Sequence, residues 1–321
     1  MNEPDTILVA YGPSAELAAP WVEALAERCS NLRVQPIQQP VDPDRVRYAV
    51  CWKHPPGSLQ GFPHLRAIFS LGAGVDHILS DPDLPSGVPI VRVVDPDLTN
   101  RMSEWVLLHV LMHHRQARLY DWHQAEKMWV DDPHQPAARE VRVGVMGLGV
   151  LGTDAVCKLK VMGFDVAGWS RTPKALDGID TYAGDAEFDA FLNRTQILVV
   201  LLPLTPDTRG ILNHALFAKL ARDSYFGGPI LLNAGRGGLQ VEADILAALE
   251  DGILRAATLD VFDTEPLPEA SPLWHHPAVT VTPHNAAISS YESVADFIAG
   301  EIVHLDEGGT PRHTVDARRA Y

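Results

Sequence analysis

The sequence predicts an α/β protein built as two doubly wound parallel-sheet domains. Three observations predict it. Short apolar, β-branched runs alternate with amphipathic helical stretches, a Gly-x-Gly-x-x-Gly motif stands between one such run and a helix, and 321 residues suffice for two domains. Strands separated by helices are joined by crossovers, which make the sheet parallel and bury both of its faces.

In the first series, residues 7–11 read as a strand, 15–29 as an apolar-periodic helix and 47–52 as a second strand. Residues 67–71 and 90–94 continue it, with Pro, Gly and Asp turns between them. One long helix is expected from about residue 103 to 128, carrying Trp105 and Trp122 with His113-His114-Arg115 in its middle. After the polar, proline-containing stretch 131–138 a second strand–helix series begins at Val141. The domain boundary is therefore expected near Met102. No repeat or low-complexity tract interrupts the pattern.

Composition narrows the function classes. Hydrophobic content of 46% with 21% charged residues excludes disorder. A formal net charge of −15 argues against a general binder of nucleic acid or anionic membrane, since both need a basic face. The amino terminus lacks a basic region ahead of its strand-length apolar run, so no signal peptide is expected. No run approaches the ~20 apolar residues that span a bilayer. Cys29, Cys51 and Cys157 are odd in number and far apart, which argues against a disulfide framework. All three read as buried small hydrophobes, and the expected location is cytoplasmic.

Residues 141–152 read Val-Arg-Val-Gly-Val-Met-Gly-Leu-Gly-Val-Leu-Gly, followed by a helix expected over 153–162 and a strand over 165–169. That context makes Gly147-Leu148-Gly149-Val150-Leu151-Gly152 a dinucleotide-binding turn rather than a chance glycine cluster. Gly147 permits the tight turn, Gly149 lets a pyrophosphate approach the backbone, and Gly152 lets helix and strand pack closely. Free N–H groups at the helix start then hold the anion. An NAD site usually ends its second strand in an acid that bonds the ribose 2′-hydroxyl. Here the strand ends in Ser170, Arg171, Thr172 and Lys174, with no acid between Val166 and Lys174. Cations and hydroxyls suit a 2′-phosphate, so NADPH is expected over NADH, with NADH still possible. The plainer alternative is that Arg171 and Lys174 are solvated loop charges.

Three later blocks each place polar residues just past a β-rich run. They are Leu231-Leu232-Asn233-Ala234-Gly235-Arg236, Thr258-Leu259-Asp260 continuing to Glu265, and Val281-Thr282-Pro283-His284-Asn285-Ala286. Ligands of doubly wound sheets bind at that carboxyl edge. A histidine suits proton transfer near neutral pH, a carboxylate in contact with it favours its protonated form, and an arginine offers a planar fork for a carboxylate or a developing alkoxide. Against this stand simpler roles: Arg236 as a surface charge, Glu265 as a loop acid, Asp260 as a cap and His284 as a core histidine. Neither His275-His276 nor His113-His114 has the spacing of a metal site, so no metal is expected.

With Leu71-Gly72-Ala73-Gly74-Val75-Asp76-His77, Met102-Ser103-Glu104-Trp105 and Leu202-Pro203-Leu204-Thr205-Pro206, these blocks resemble the D-isomer-specific 2-hydroxyacid dehydrogenases, most closely the glyoxylate/hydroxypyruvate reductase branch. The resemblance covers nearly the whole chain. It implies two Rossmann-like domains with the active site in the cleft between them. A substrate domain of residues 1–102 would be completed by 288–321, around a dinucleotide domain of 103–287. It also implies a catalytic set of Arg236, Glu265 and His284, with His284 as proton donor to a small 2-oxoacid. Ala73 and Gly74 would bind the substrate carboxylate through backbone N–H groups. Trp52 and Met102 would line the pocket, although both residue types are as often core. Leu202, Pro203, Ala234, Gly235 and Ala286 would line the cofactor, and Asp260 would bond the nicotinamide carboxamide. The helix with the tryptophans resembles the family's dimerisation region, so a homodimer is expected; packing within the domain is the alternative. Asn285 stands where many relatives carry an apolar residue. Other functions stay open: a reductase of a bulkier 2-oxoacid, a non-catalytic dinucleotide-sensing regulator and, more weakly, phosphite or formate oxidation within the same superfamily.

Overall fold

A computed structural model describes residues 4–316 of the chain. It divides into two compact units: the amino-terminal segment through Leu98 with the carboxyl-terminal segment from Ser289, and Thr99–Ile288. The sequence suggested bounds at 102/103 and 287/288. Residues 1–3 of the amino-terminal reading and 317–321 of the expected 288–321 segment lie outside the described residues.

In the first unit, β1 (Thr6–Tyr11), α1 (Ala15–Arg28), β2 (Arg33–Pro36), β3 (Val46–Trp52), β4 (Ala67–Ser70), α2 (Asp76–Leu79) and β5 (Ile90–Val91) follow one another. The strands pair in parallel in the order β2-β1-β3-β4-β5, a doubly wound arrangement. The short, mixed-polarity strand β2 was not expected. Ser14 caps α1 by accepting the Glu16 N–H at 3.2 Å, and Ala18, Trp21, Ala24 and Leu25 are its buried stripe. The carboxyl-terminal helix α9 (Tyr291–Asp306) returns to this unit and buries Val294, Ala295, Ile298 and Ile302 with Ile7, Trp21 and Leu25. Its end is tied down where the Tyr48 hydroxyl donates to Asp306 at 2.6 Å and Arg66 donates to the Leu305 carbonyl at 2.5 Å.

The sequence suggested one helix over 103–128. Two are present, α3 (Pro96–His114) and α4 (Ala117–Ala125). α3 starts early because Asp95 accepts the N–H groups of Asp97 and Leu98, both at 3.1 Å, with proline at the first helical position. It ends at His114, and Gln116, with a left-handed backbone (φ 51°), breaks the ladder before α4 while its side chain donates to Asp132 at 2.8 Å.

The second sheet follows, with β6 (Arg142–Met146), α5 (Val150–Val161), β7 (Asp165–Ser170), β8 (Asp180–Ala183), α6 (Phe188–Arg194), β9 (Ile197–Val200), α7 (His214–Phe217), β10 (Ile230–Asn233), α8 (Glu242–Glu250), β11 (Ala256–Leu259) and β12 (Val279–Val281). Its order is β12-β11-β10-β9-β6-β7-β8, every pair parallel. The chain runs outward from β6 to β8 and then crosses back to β9, so the switch point lies between β6 and β9. Ile197, Val199 and Leu232 face one core and Leu198, Val200 and Leu231 the other, which explains why these strands read as unbroken apolar runs.

Two local expectations are corrected. α5 begins at Val150, directly after the glycine turn, rather than at Thr153. Cys157 is exposed while Cys29 and Cys51 are buried, because the buried stripe of α5 is Gly152, Ala155, Val156 and Leu159 and residue 157 turns out of it. Among the described residues no helix is long and apolar enough to cross a membrane.

Candidate active site

The glycine turn leaves the carboxyl end of β6 beside the end of β7, and the Gly147 N–H donates to the Trp169 carbonyl at 2.9 Å. Gly147 has a φ of 106°, which side-chain-bearing residues rarely adopt. A Cβ on Gly152 would stand 1.8 Å from the Gly147 carbonyl oxygen, so helix and turn meet only through a glycine. A Cβ on Gly149 would meet nothing within 4 Å, and this N-cap glycine offers no side chain to cap the first turn of α5. Open space above uncapped N–H groups at Val150, Leu151 and Gly152 suits a pyrophosphate. Leu148 reaches back to fill the space over Gly168.

Past β7, Arg171, Thr172 and Lys174 are exposed and Ser170 is buried. The Ser170 hydroxyl donates to the Thr172 carbonyl at 2.8 Å, so its single proton serves the loop, and the side chains facing solvent are the two cations and Thr172. Leu202 and Pro203 follow β9, and Ala234 and Gly235 follow β10. These two loops touch, since a Cβ on Gly235 would lie 2.8 Å from the Leu202 carbonyl oxygen.

The Arg236 loop is shaped by Asn233. Its Oδ1 accepts the Gly235 N–H at 3.0 Å, and its Nδ2 donates to Gln240 at 2.8 Å and to the Arg236 carbonyl at 3.2 Å. Arg236 is half-buried and donates to the Gly235 carbonyl at 2.8 Å. Beyond β12, the Nδ1 of His284 lies 2.8 Å from Glu265 Oε2, and the other carboxylate oxygen accepts the Phe262 N–H at 3.2 Å. An ionised carboxylate only accepts, so Nδ1 carries the proton and Nε2 is the atom left for chemistry.

His284 has a left-handed backbone (φ 52°). Its N–H donates to the carbonyls of Asp260 at 2.8 Å and Thr282 at 3.1 Å. The Asp260 carboxylate, 1% exposed, accepts the N–H groups of Asn285 and Ala286, both at 3.0 Å, and the Thr282 hydroxyl at 2.5 Å. An arginine, a carboxylate–imidazole pair and a buried aspartate thus stand together at the carboxyl edge of one sheet. They can offer a planar cation, a proton at Nε2 and an oriented acceptor.

This arrangement matches a known group. The family model described as "D-isomer specific 2-hydroxyacid dehydrogenase, NAD binding domain" matches residues 107–286. The chain belongs to the D-isomer specific 2-hydroxyacid dehydrogenase family. It is accordingly an NAD(P)-dependent 2-hydroxyacid dehydrogenase. A relative named glyoxylate/hydroxypyruvate reductase A from Serratia proteamaculans is 43% identical over 310 residues, 95% of this chain and 96% of the relative. Among solved structures, an NADPH-dependent glyoxylate/hydroxypyruvate reductase from Sinorhizobium meliloti, in complex with NADP and sulfate, is 47% identical with a TM-score of 0.92, covering 99% of this chain and 100% of that one. A probable 2-hydroxyacid dehydrogenase from Rhizobium etli, in complex with NADP, HEPES and L(+)-tartaric acid, is 42% identical with a TM-score of 0.92 and full coverage of both chains.

Of the remaining residues expected in the site, Met102 belongs to the second unit and Trp52, Ala73 and Gly74 to the first. Met102, 6% exposed, packs in the second unit with Trp105 and Val145. In the first unit, Trp52 and the turn at Gly72, Ala73 and Gly74 are neighbours, with a Cβ on Gly72 only 2.7 Å from the Trp52 ring. The Ser70 hydroxyl donates to the Gly74 carbonyl at 2.7 Å, and the Lys53 N–H donates to His77 Nδ1 at 3.2 Å, which steadies both loops. Sequence reasoning overlooked Asn233, Gln240, Thr282 and Trp105, since none is a residue type that performs the chemistry. A cavity of about 330 Å³ beside Gln135, Glu140, Val141 and Gln196 lies at the amino edge of the sheet, away from His284. His113 is bonded to Thr258 at 2.8 Å, and among the described residues no group of three potential ligands could hold a metal.

Proposed function

We propose that this dehydrogenase reduces small 2-oxoacids, glyoxylate and hydroxypyruvate foremost, to 2-hydroxyacids with NADPH. The observation that carries the reading is the Glu265–His284 pair at 2.8 Å beside Arg236 at the carboxyl edge of a dinucleotide sheet. Bound NADPH supplies the hydride for the carbonyl carbon. The carbonyl oxygen must gain a proton, and His284 gives it from Nε2 while Glu265 keeps the proton on Nδ1 and stabilises positive charge on the ring. Arg236 orients the substrate carboxylate and draws charge from the oxygen as it becomes an alkoxide. Asp260 Oδ2 accepts, among the described residues, the Ala286 N–H, and its remaining lone-pair capacity suits the nicotinamide carboxamide. The backbone at Ala73 and Gly74, with Trp52 beside it, receives the substrate carboxylate from the first unit's loops.

The cofactor preference rests on the chain's own residues. No acid stands between Val166 and Lys174, while Arg171, Thr172 and Lys174 are exposed past β7, as a 2′-phosphate requires. The names of the Serratia and Sinorhizobium relatives support both the substrate class and the cofactor. The protein is further read as a homodimer, because α4 and the segment after it expose Leu119, Tyr120, Trp122 and Trp129, the last at 99%. The same reading puts it in the cytoplasm, where its three free thiols stay reduced; activity recovered only outside the cytosolic fraction would contradict that.

The test is oxidation of NADPH against glyoxylate, hydroxypyruvate, pyruvate and phenylpyruvate, repeated with NADH. Fastest turnover is expected with the two small oxoacids and NADPH. A preference for phenylpyruvate would point to a bulkier substrate. No turnover of any 2-oxoacid would overturn the reading in favour of a dinucleotide sensor, and an NADH efficiency at or above that of NADPH would overturn the role of Arg171, Thr172 and Lys174.

A further inference from the structure

We infer that Thr282 and Trp105 are positioning residues of this reaction, acting through Asp260 to hold the His284 turn against Glu265. The inference rests on the reading of His284 as proton donor. The Trp105 indole N–H donates to Thr282 Oγ1 at 3.2 Å, and the Thr282 hydroxyl donates to Asp260 Oδ1 at 2.5 Å. The direction of this chain is set by chemistry. An indole N–H can only donate and a carboxylate can only accept, so the hydroxyl between them accepts from Trp105 and spends its one proton on Asp260.

Asp260 then carries the catalytic turn. Its two oxygens accept the Asn285 and Ala286 N–H groups, and its own carbonyl accepts the His284 N–H. His284 needs that support, because a φ of 52° is sparsely populated for any residue with a side chain and persists only when its surroundings enforce it. Without the Thr282 hydroxyl, Oδ1 keeps only the Asn285 N–H among these donors. A carboxylate 1% exposed cannot take water in exchange without moving. Movement of Asp260 carries Asn285 and Ala286 with it, and the 2.8 Å contact of His284 with Glu265 is the geometry that is lost. Trp105 is 7% exposed on α3, so the anchor of this chain is a buried helix side chain rather than a loop.

Three variants test the inference. Thr282→Val keeps the shape and removes the hydroxyl, Thr282→Ser keeps the hydroxyl, and Trp105→Phe keeps the ring and removes the N–H. With NADPH and glyoxylate, Thr282→Val is expected to lower kcat about ten-fold with KM unchanged within about two-fold, the scale of one lost hydrogen bond to a charged acceptor. Thr282→Ser should return kcat to within about two-fold of wild type, and Trp105→Phe should lower it about three-fold, since it loosens the hydroxyl without removing it. A second readout needs no substrate. The downfield NMR resonance of the His284 Nδ1–H, bonded to Glu265, should persist in wild type and Thr282→Ser and disappear in Thr282→Val. An unchanged kcat and resonance in Thr282→Val overturn the inference, as does a Thr282→Ser loss equal to that of Thr282→Val. Should Thr282→Val not fold, Trp105→Phe decides: a lowered kcat with a broadened resonance supports the chain, and wild-type values overturn it. A wild type that turns over no 2-oxoacid would refute the functional reading alone, and the resonance would still decide the role of Thr282.

Discussion

At the residue scale, the proposed proton transfer depends on His284 carrying protons on both ring nitrogens, one held at Nδ1 and one to give from Nε2. Glu265 favours this from 2.8 Å, and its own orientation is held by the Phe262 N–H at 3.2 Å. Glu265→Gln keeps the volume but presents a neutral amide, which no longer stabilises positive charge on the doubly protonated ring. The expected outcome is a kcat lower by about a hundred-fold or more, with NADPH affinity intact. Steady-state rates beside a fluorescence titration of NADPH check this, and a kcat within a few-fold of wild type would remove Glu265 from the mechanism. The proposed set of Arg236, Glu265 and His284 was read from the sequence because each follows a β-rich run and resembles a family motif, and the structure places Glu265 on His284. Thr282 was not, although it stands two residues before His284, because a threonine at a strand end looks like strand chemistry until its hydroxyl is seen on Asp260.

At the element scale, α3 and α4 grip the outer strands through polar side chains. Besides Trp105, His113 Nε2 lies 2.8 Å from the Thr258 hydroxyl, and Arg118 donates to the Val279 carbonyl at 2.7 Å and to Thr280 at 2.9 Å. Burial holds the His113 imidazole down to about 4, and His109 and His114 are lowered in the same direction by burial. Unfolding frees these rings to titrate near 6.5, so the unfolded chain binds protons first and stability falls as pH drops from about 6.5 to about 4. His113→Gln keeps a partner for Thr258 and removes the titration. Urea unfolding is expected to show wild type losing roughly 2 kcal/mol more than the variant between pH 6.5 and 5. Equal losses would show that His113 titrates freely in the fold. The single helix expected over 103–128 failed at Gln116 for a related reason. Its side-chain bond to Asp132 depends on where the chain returns, which local periodicity does not encode.

At the scale of the whole molecule, the acidic charge is spread: residues 103–284 carry −8 and the remainder −7. Small anions must therefore be held by a few close donors, since exposed charges beyond about 8–10 Å are screened. The exposed apolar side chains of α4 bear instead on the proposed homodimer. Light scattering is expected to return twice the 35.1 kDa chain mass, and Trp122→Asp, at a residue 52% exposed, to shift the protein toward one copy without unfolding it. A wild-type protein at the mass of one chain would refute the homodimer.

Legible in the sequence alone were the strand–glycine turn–helix, the lack of an acid between Val166 and Lys174 and the three side chains proposed to react, Arg236, Glu265 and His284. These are local features, in which a short segment carries its own conformational reason. Gly147 and Gly152 show this best, since the backbone conformation of one and the 1.8 Å approach at the other admit no side chain. The tertiary structure alone decided the burial of Met102, the exposure of Cys157, the break at Gln116 and the Trp105–Thr282–Asp260 chain. The reason is one of range. A buried carboxylate takes whichever donors surround it, and Trp105 and Thr282 stand 177 residues apart until the fold brings them together.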